Sequence, residues 1–309
     1  MSSNILIFGG NGFLGSHLAE FCLKNGFKVT VIDDLSTMDR INIQNGVKFI
    51  RAKVETYNDE EEYTHVVHLA ARPSPEDYID HPLDTLSSNS WGTQNAMEIA
   101  RRSGATFMYT SSSEVYGNAS VIPTPETYYG YVNPNGIRSC YDEGKRFSEA
   151  LIMSYHRYYK IDTRIQRPFN VYGPRIREDG QYGRVIPRFV KAALNDEDII
   201  IFGDGKQTRS FLYIDDWVSA TWKFLTMRDL SGTVLNIGAT KEISINDLAA
   251  RILELTRSKS KIVYKPSRVD DPTRRSADIS LARKLIGFEP AIDLDKGLSK
   301  TISWFKGGK

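Results

Sequence analysis

Tyr141 and Lys145 stand four residues apart in a segment whose pattern predicts a helix from about Cys140 to Tyr159. Residues at i and i+4 share a helix face, so the phenol and the ammonium come together. A phenol has an ordinary pKa of about 10 and is a poor base at neutral pH. A neighbouring ammonium favours phenolate. Such a tyrosine can take a proton from an alcohol while hydride leaves its carbon. The spacing by itself also fits two solvated side chains on a surface helix. A second feature favours chemistry: Thr110-Ser111-Ser112-Ser113-Glu114-Val115-Tyr116-Gly117 follows directly on a predicted strand. Hydroxyls at the C-terminal end of a sheet strand face the crevice where α/β proteins bind ligands. The plainer reading of a serine run is a capped loop.

A hydride needs an acceptor, and the N-terminus supplies a place for one. Gly9-Gly10-Asn11-Gly12-Phe13-Leu14-Gly15 holds two overlapping glycine patterns, one through Gly10, Gly12 and Gly15, the other through Gly9, Gly12 and Gly15. Glycine permits the tight turn, lets backbone N–H groups approach a pyrophosphate, and allows close helix–strand packing. The following helix N-terminus adds unpaired donors and partial positive charge. Asp33 ends the next strand, where a carboxylate accepts hydrogen bonds from ribose hydroxyls and repels a 2′-phosphate. That combination predicts NAD as the cofactor.

The elements around these residues alternate. Strands are predicted at Asn4–Phe8, Lys28–Ile32, Val47–Ile50, Thr64–Leu69, Ala105–Thr110 and Thr163–Arg167. Helices are predicted at Asn11–Asn25, about Pro82–Ser103, and Cys140–Tyr159, with a Pro- and Asp-rich loop before the second. Strands alternating with helices imply βαβ units, hence an α/β fold with a Rossmann-type, doubly wound parallel sheet. After Pro168 the pattern loosens. Short strands (Ile199–Phe202, Phe211–Ile214, Val234–Ile237, Lys261–Tyr264) mix with helices near Val185–Leu194, Asp215–Met227, Ile245–Thr256 and Asp293–Phe305. The expected organisation is an NAD-binding domain over residues 1–170, with about 211–240 threading back into it. Residues 171–210 and 241–309 then form a smaller α/β substrate lobe.

Composition narrows the field. Over 309 residues, 40 basic side chains face 38 acidic ones, a net charge of +2. That balance gives no support for nucleic-acid or membrane-surface binding. Cys22 and Cys140 are the only cysteines, so no disulfide framework is expected and a reducing compartment is the default. Ile5–Phe8 is strand-length and runs into glycines, unlike a signal peptide or membrane span, and a cytoplasmic location is the expectation. The five histidines are scattered without metal-ligand spacing, so no metal is expected. His68, at a strand end, reads as a packing residue, and so does Cys140.

Glycine loop, serine run and Tyr-x-x-x-Lys together resemble the extended short-chain dehydrogenase/reductase superfamily over nearly the whole chain. Within it, several segments resemble the UDP-glucuronate decarboxylases (UDP-xylose synthases). They are Ser74-Pro75-Glu76-Asp77-Tyr78, Ser112-Ser113-Glu114-Val115-Tyr116-Gly117 and Gly130-Tyr131-Val132-Asn133-Pro134. Two more are the stretch from Arg138 to Arg146, which contains Tyr141-Asp142-Glu143-Gly144-Lys145-Arg146, and Asp270-Asp271-Pro272-Thr273-Arg274-Arg275. The resemblance implies oxidation at C4 of a UDP-sugar by tightly held NAD. It adds Phe13, Leu14, Leu69, Ala70 and Ala71 to the cofactor-binding residues. It also places Asn170, Arg175, Phe202, Arg209 and Arg275 on the UDP-sugar, with Asn170 and Arg209 at the diphosphate. Taken alone, Asn170 also reads as a turn cap, Arg209 as a surface cation and Phe202 as core. Where members of the superfamily carry an aspartate that reads adenine, this chain has Lys53-Val54. A homodimer is implied too, joined through the tyrosine-bearing helix and its predecessor.

The reaction follows from what the resemblance supplies and omits. Sugar 4,6-dehydratases carry Asp-Glu after the catalytic hydroxyl residue, the Asp serving as acid for a leaving hydroxyl. Here the pair is Ser113-Glu114, and the acid is missing. The 4-epimerases usually lack a glutamate at that point. A decarboxylase needs no leaving-group acid, because a C4 ketone is the electron sink for CO2 loss at C5. In that reading Tyr141 and Ser112 hydrogen-bond the C4 oxygen, Arg275 holds the sugar carboxylate, and Glu114 shapes protonation at C5. The alternatives are a UDP-glucose/UDP-galactose 4-epimerase on the same scaffold and a non-catalytic NAD-binding sensor. A sensor has no need of both Tyr141 and Lys145.

Overall fold

The computed structural model describes residues 3–38, 40–178, 184–267 and 274–307. The Asp270-Asp271-Pro272-Thr273 part of the C-terminal segment lies outside the described residues. Seven strands form one parallel sheet. Across it the order is Thr233–Ile237, Thr163–Pro168, Thr106–Thr110, His65–His68, Asn4–Phe8, Lys28–Asp33 and Lys48–Arg51. Along the first strand, Ile5 and Ile7 enter one hydrophobic cluster and Leu6 and Phe8 another. Successive strand side chains point to opposite faces, so a strand covered on both sides reads as an unbroken apolar run. Helices Phe13–Lys24 and Ile214–Thr226 cover the first face, and Trp91–Ser103 and Ser139–Tyr159 the second. The chain order reverses between Asn4–Phe8 and His65–His68. That reversal opens a crevice at the carboxyl ends of the strands.

Two expectations change on this side of the molecule. The helix predicted from Pro82 to Ser103 is two helices, Pro82–Asn89 and Trp91–Ser103. Ser90 between them leaves the helical region (φ −106°, ψ −83°), and its hydroxyl donates 2.6 Å to the Leu86 carbonyl. A serine that bonds the preceding turn competes with the backbone ladder. The Pro- and Asp-rich loop, in turn, contains a helix at Pro75–Asp80. Pro75 fills its first turn, where a missing N–H costs nothing.

Beyond the sheet the chain builds three small ones. Ile199–Phe202 pairs in parallel with Ile262–Lys265, and Val171–Tyr172 with Leu212–Tyr213. Thr208–Ser210 sits between antiparallel Glu242–Ser244 and parallel Arg274–Arg275. The last pairing places Arg275 directly beside Arg209, which short polar strands do not announce in sequence. Among the described residues no helix is long and apolar enough to cross a membrane.

Candidate functional site

A cleft of about 1000 Å³ runs from the glycine loop to the Arg274–Arg275 strand. Every residue that the sequence assigned to cofactor or substrate lines it, with one exception. Arg175 does not line it. It sits in a left-handed turn (φ 64°) and its Nη2 lies 2.5 Å from Glu20 on the first helix. That ion pair ties the guanidinium to the first helix, outside the residues that line the cleft.

The glycine loop has the shape a dinucleotide needs. A Cβ on Gly15 would meet the Gly9 carbonyl oxygen at 2.3 Å, and one on Gly9 would meet Ala70 N at 2.5 Å. Gly9 also holds a positive φ of 73°. At Gly12 the nearest atom to such a Cβ is 3.4 Å away, so backbone there is open toward the cleft. Asp33 accepts hydrogen bonds from the backbone N–H of Asn11 (3.0 Å) and Leu35 (2.9 Å). Burial raises its pKa, and those bonds oppose the rise. Its carboxylate is thereby fixed at the strand end where ribose hydroxyls are read. These residues fit NAD. Lys53 and Val54 also lie in this part of the wall.

The helix Ser139–Tyr159 presents Tyr141 and Lys145 to the cleft. Gly144 lets it approach closely, because a Cβ there would come within 3.2 Å of Asn89 Cβ. Tyr141 is 4% exposed, stacked on Tyr78 with ring centroids 5.1 Å apart. Lys145, 2% exposed, donates 3.0 Å to the Thr110 carbonyl, and its ammonium lies 4.7 Å above the Tyr109 ring and 5.7 Å from that of Tyr141. The expected lowering of the phenol by Lys145 is not the dominant effect. Burial raises the Tyr141 pKa, against a hydrogen bond to Ser112 and the charge of Arg184. Burial likewise brings Lys145 down to about 7, with Glu149 pulling the other way. Desolvation penalises both charged forms, so a neutral phenol faces an amine that titrates near neutrality. Ser112 Oγ also accepts from Glu114 N at 3.2 Å, which closes the turn Ser113–Tyr116 beside the phenol.

Glu114 is the centre of a charge cluster. Arg275 donates to both of its oxygens, Nη2 at 2.9 Å and Nη1 to the other, and Arg138 Nη2 reaches it at 2.6 Å. Burial raises the Glu114 carboxyl, but Arg275, Arg138 and Arg209 outweigh it and hold it at about 2. Arg138 Nε also lies 3.7 Å from Asp142. Burial, reinforced by the charge of Glu114, pushes Asp142 up to about 7. Arg138 and Asp142 carried no assigned role in the sequence, although both stand in the Tyr141 segment. Asn170, in a left-handed conformation (φ 41°), donates 3.0 Å to the Ser210 carbonyl. Arg209 is buried and donates to the Thr208 carbonyl. Phe202 is half-buried with Arg188 over its ring at 5.4 Å. His68 is fully buried, its Nε2 3.2 Å from the Ser88 carbonyl. Among the described residues no three His, Cys, Asp or Glu side chains gather as a metal site.

Fold and site together define a dinucleotide-dependent enzyme of the short-chain dehydrogenase/reductase kind, with a tyrosine–lysine pair at the carboxyl edge of a parallel sheet. Residues 5–238 match the NAD dependent epimerase/dehydratase family, and the chain belongs to it. NAD is therefore its cofactor. The chain is 38% identical over 306 residues to UDP-glucuronic acid decarboxylase 1 of Xenopus tropicalis, covering 98% of this chain and 72% of that protein. It is also similar to UDP-glucose 4-epimerase of Thermotoga maritima solved with UDP-glucose: 30% identity, TM-score 0.90, 98% of each chain. UDP-glucuronic acid 4-epimerase of Bacillus cereus, solved with UDP-glucuronic acid and NAD, is similar at 29% identity and TM-score 0.86, over 98% of this chain and 99% of that one.

Proposed function

We propose that this protein is a UDP-glucuronate decarboxylase that makes UDP-xylose. The observation that carries the reading is the guanidinium of Arg275, which lines the same cleft as Tyr141 and Ser112 and is held in a two-point pair by Glu114. A planar fork of that kind suits a planar carboxylate. Similarity over 98% of the chain to proteins named UDP-glucuronic acid decarboxylase supports the same substrate. In this assignment residues 1–170 with 211–240 hold NAD, and residues 171–210 and 241–309 hold the nucleotide sugar.

The chain's own groups divide the work. The glycine loop and Asp33 would hold NAD, which would supply the hydride acceptor and donor for C4. Tyr141, once its own proton has passed to solvent, accepts the C4 hydroxyl proton as phenolate, and Ser112 supports the oxygen as it becomes a carbonyl. Lys145, fixed on the Thr110 carbonyl, places positive charge behind Tyr141. Arg275 holds the sugar carboxylate at C5, and Glu114 positions that guanidinium and shapes protonation at C5. Arg209 and Asn170 take the diphosphate, and Phe202 the uracil side. The exposed apolar side chains Leu83 (78%), Trp91 (67%), Leu86 and Phe147 stand on Pro82–Ser103 and on the tyrosine helix, and they support a homodimer joined there. A cytoplasmic location remains part of the reading.

A second reading is 4-epimerisation, favoured by the close structural likeness to two 4-epimerases. Product analysis by NMR separates the two. UDP-glucuronate, UDP-glucose and UDP-galactose are offered side by side to the NAD-loaded protein without added NADH. CO2 with UDP-xylose is expected from the first alone. An inverted C4 with the carboxylate retained, or interconversion of the two hexoses, moves the assignment to epimerase.

A further inference from the structure

Decarboxylation of a glucuronate consumes a proton. The C5–C6 bonding electrons pass toward the C4 carbonyl, CO2 leaves uncharged, and C5 takes H⁺ where the carboxylate stood. That proton must come from solvent, and it must be present in a cleft already crowded with charge.

Resting on the decarboxylase reading, we propose that binding of the anionic sugar is coupled to uptake of one proton by the buried Asp142, which acts as the positioning residue for the charge of Glu114 and Arg275. The geometry is specific. Asp142 is 6% exposed, and its Oδ1 is buried with no hydrogen-bond partner among the described residues. Its Oδ2 lies 3.7 Å from Arg138 Nε, while Nη2 of the same guanidinium holds Glu114 at 2.6 Å. Glu114 in turn occupies Arg275 through two bonds. The groups facing Asp142 are few: Glu114 from the Ser113–Tyr116 turn, Arg138 from the residue before the helix, and Arg275 from the second lobe. Tyr78 from the Pro75–Asp80 helix and Tyr141 from its own helix complete the set.

A sugar carboxylate can bind Arg275 only by displacing or sharing Glu114. Glu114 then leans on Arg138, and Arg138 has less to offer Asp142. With Arg209 committed to the diphosphate, two guanidinium groups face three carboxyls. A buried carboxylate without a partner neutralises by taking a proton. The carboxyl nearest that point is Asp142, held at about 7, and the oxygen without a donor is its Oδ1. Glu114 keeps its 2.6 Å contact to the Arg138 guanidinium and stays charged. Binding thus brings one proton into the cleft, equal in number to the one the reaction consumes.

Calorimetric titration tests this directly. The Tyr141→Phe protein loaded with NAD blocks turnover and is titrated with UDP-glucuronate at pH 7.5 in phosphate and in Tris. The dependence of heat on buffer ionisation gives the protons taken up. Roughly half a proton or more per site is expected for UDP-glucuronate, and close to none for UDP-xylose, which lacks the carboxylate. Adding Asp142→Asn should abolish the uptake. Should that variant not fold or not retain NAD, Glu114→Gln removes one of the three carboxyls and must reduce it as well. Buffer-independent heats for UDP-glucuronate, equal uptake for UDP-xylose, or undiminished uptake in the variants would overturn the proposal. A wild-type enzyme that decarboxylates without this linkage sinks the coupling alone. Uptake without CO2 release from the wild type sinks the decarboxylase reading instead, and no binding of UDP-glucuronate overturns both.

Discussion

Replacing Arg275 by alanine bears hardest on the proposed chemistry. Arg275 is 12% exposed and its partner Glu114 18%, so the pair is largely shielded from water. Truncating one member of such a pair costs about 2–4 kcal/mol, toward the lower part of the usual range because Glu114 keeps its 2.6 Å contact to Arg138. If the guanidinium holds the sugar carboxylate, the same loss falls on catalysis. At 1.4 kcal/mol per factor of ten, kcat/KM for UDP-glucuronate drops about 30- to 700-fold. Binding of UDP-xylose, with no carboxylate to hold, should change by less than about threefold on the same arithmetic. Arg275→Lys keeps the charge without the two-point fork and should fall between. Steady-state kinetics with UDP-glucuronate and competition by UDP-xylose measure both. An unchanged kcat/KM, or an equal loss of UDP-xylose affinity, refutes the role assigned to Arg275.

Other expectations follow from the same geometry. Tyr141→Phe should lower kcat by about 10²–10⁴-fold while leaving the affinity for UDP-glucuronate nearly intact, as single-turnover absorbance of NADH and equilibrium binding can show. Lys145→Met should lose activity to a similar degree but gain thermal stability. The sign is set by burial: a lysine whose folded pKa is depressed, here to about 7, costs stability fully below that pH and is relieved as pH rises toward its ordinary 10.5. The gain in Tm should therefore be larger at pH 6.5 than at pH 9. A gain that does not shrink with pH would contradict that burial penalty. For Asp142 the folded pKa is raised, so its stability contribution is lost as pH climbs from about 4 through about 7. Asp142→Asn should raise Tm at pH 8 relative to wild type and leave it close to wild type at pH 4.5. Gly15→Ala drives a methyl to 2.3 Å from the Gly9 carbonyl and should yield protein with little bound NAD, as seen by absorbance after denaturation. Normal cofactor content there would show that the turn has room to shift.

Much of the molecule was legible without coordinates because the governing interactions are local. Asn4–Phe8, Val185–Leu194, Ile199–Phe202 and Ile245–Thr256 have the bounds their patterns predict. In each, apolar periodicity and a flanking glycine, serine or acidic residue act over a few residues. The glycine loop, Asp33, and the Tyr141–Lys145 face likewise depend on spacings of a few residues to about one βαβ unit. Other features were closed to such reasoning. The break at Ser90 turns on one residue's dihedral angles within an otherwise helical run. Arg175 carries a positive charge like Arg209 and Arg275, and its pairing with Glu20, 155 residues away, is visible only in the folded chain.

By itself the sequence determined the layered α/β sheet, the NAD-binding turn, and which helix carries the tyrosine and lysine. The tertiary structure decided what those groups feel. Desolvation at the bottom of the cleft, and not the neighbouring ammonium, sets the Tyr141 phenol, and burial depth is a property of the whole packed body. It also decided that Glu114 and Arg275, 161 residues apart, share two hydrogen bonds, with Arg138 and Asp142 completing the cluster. Charges separated so far along the chain interact only through the distance between them in space, and no local pattern records that distance.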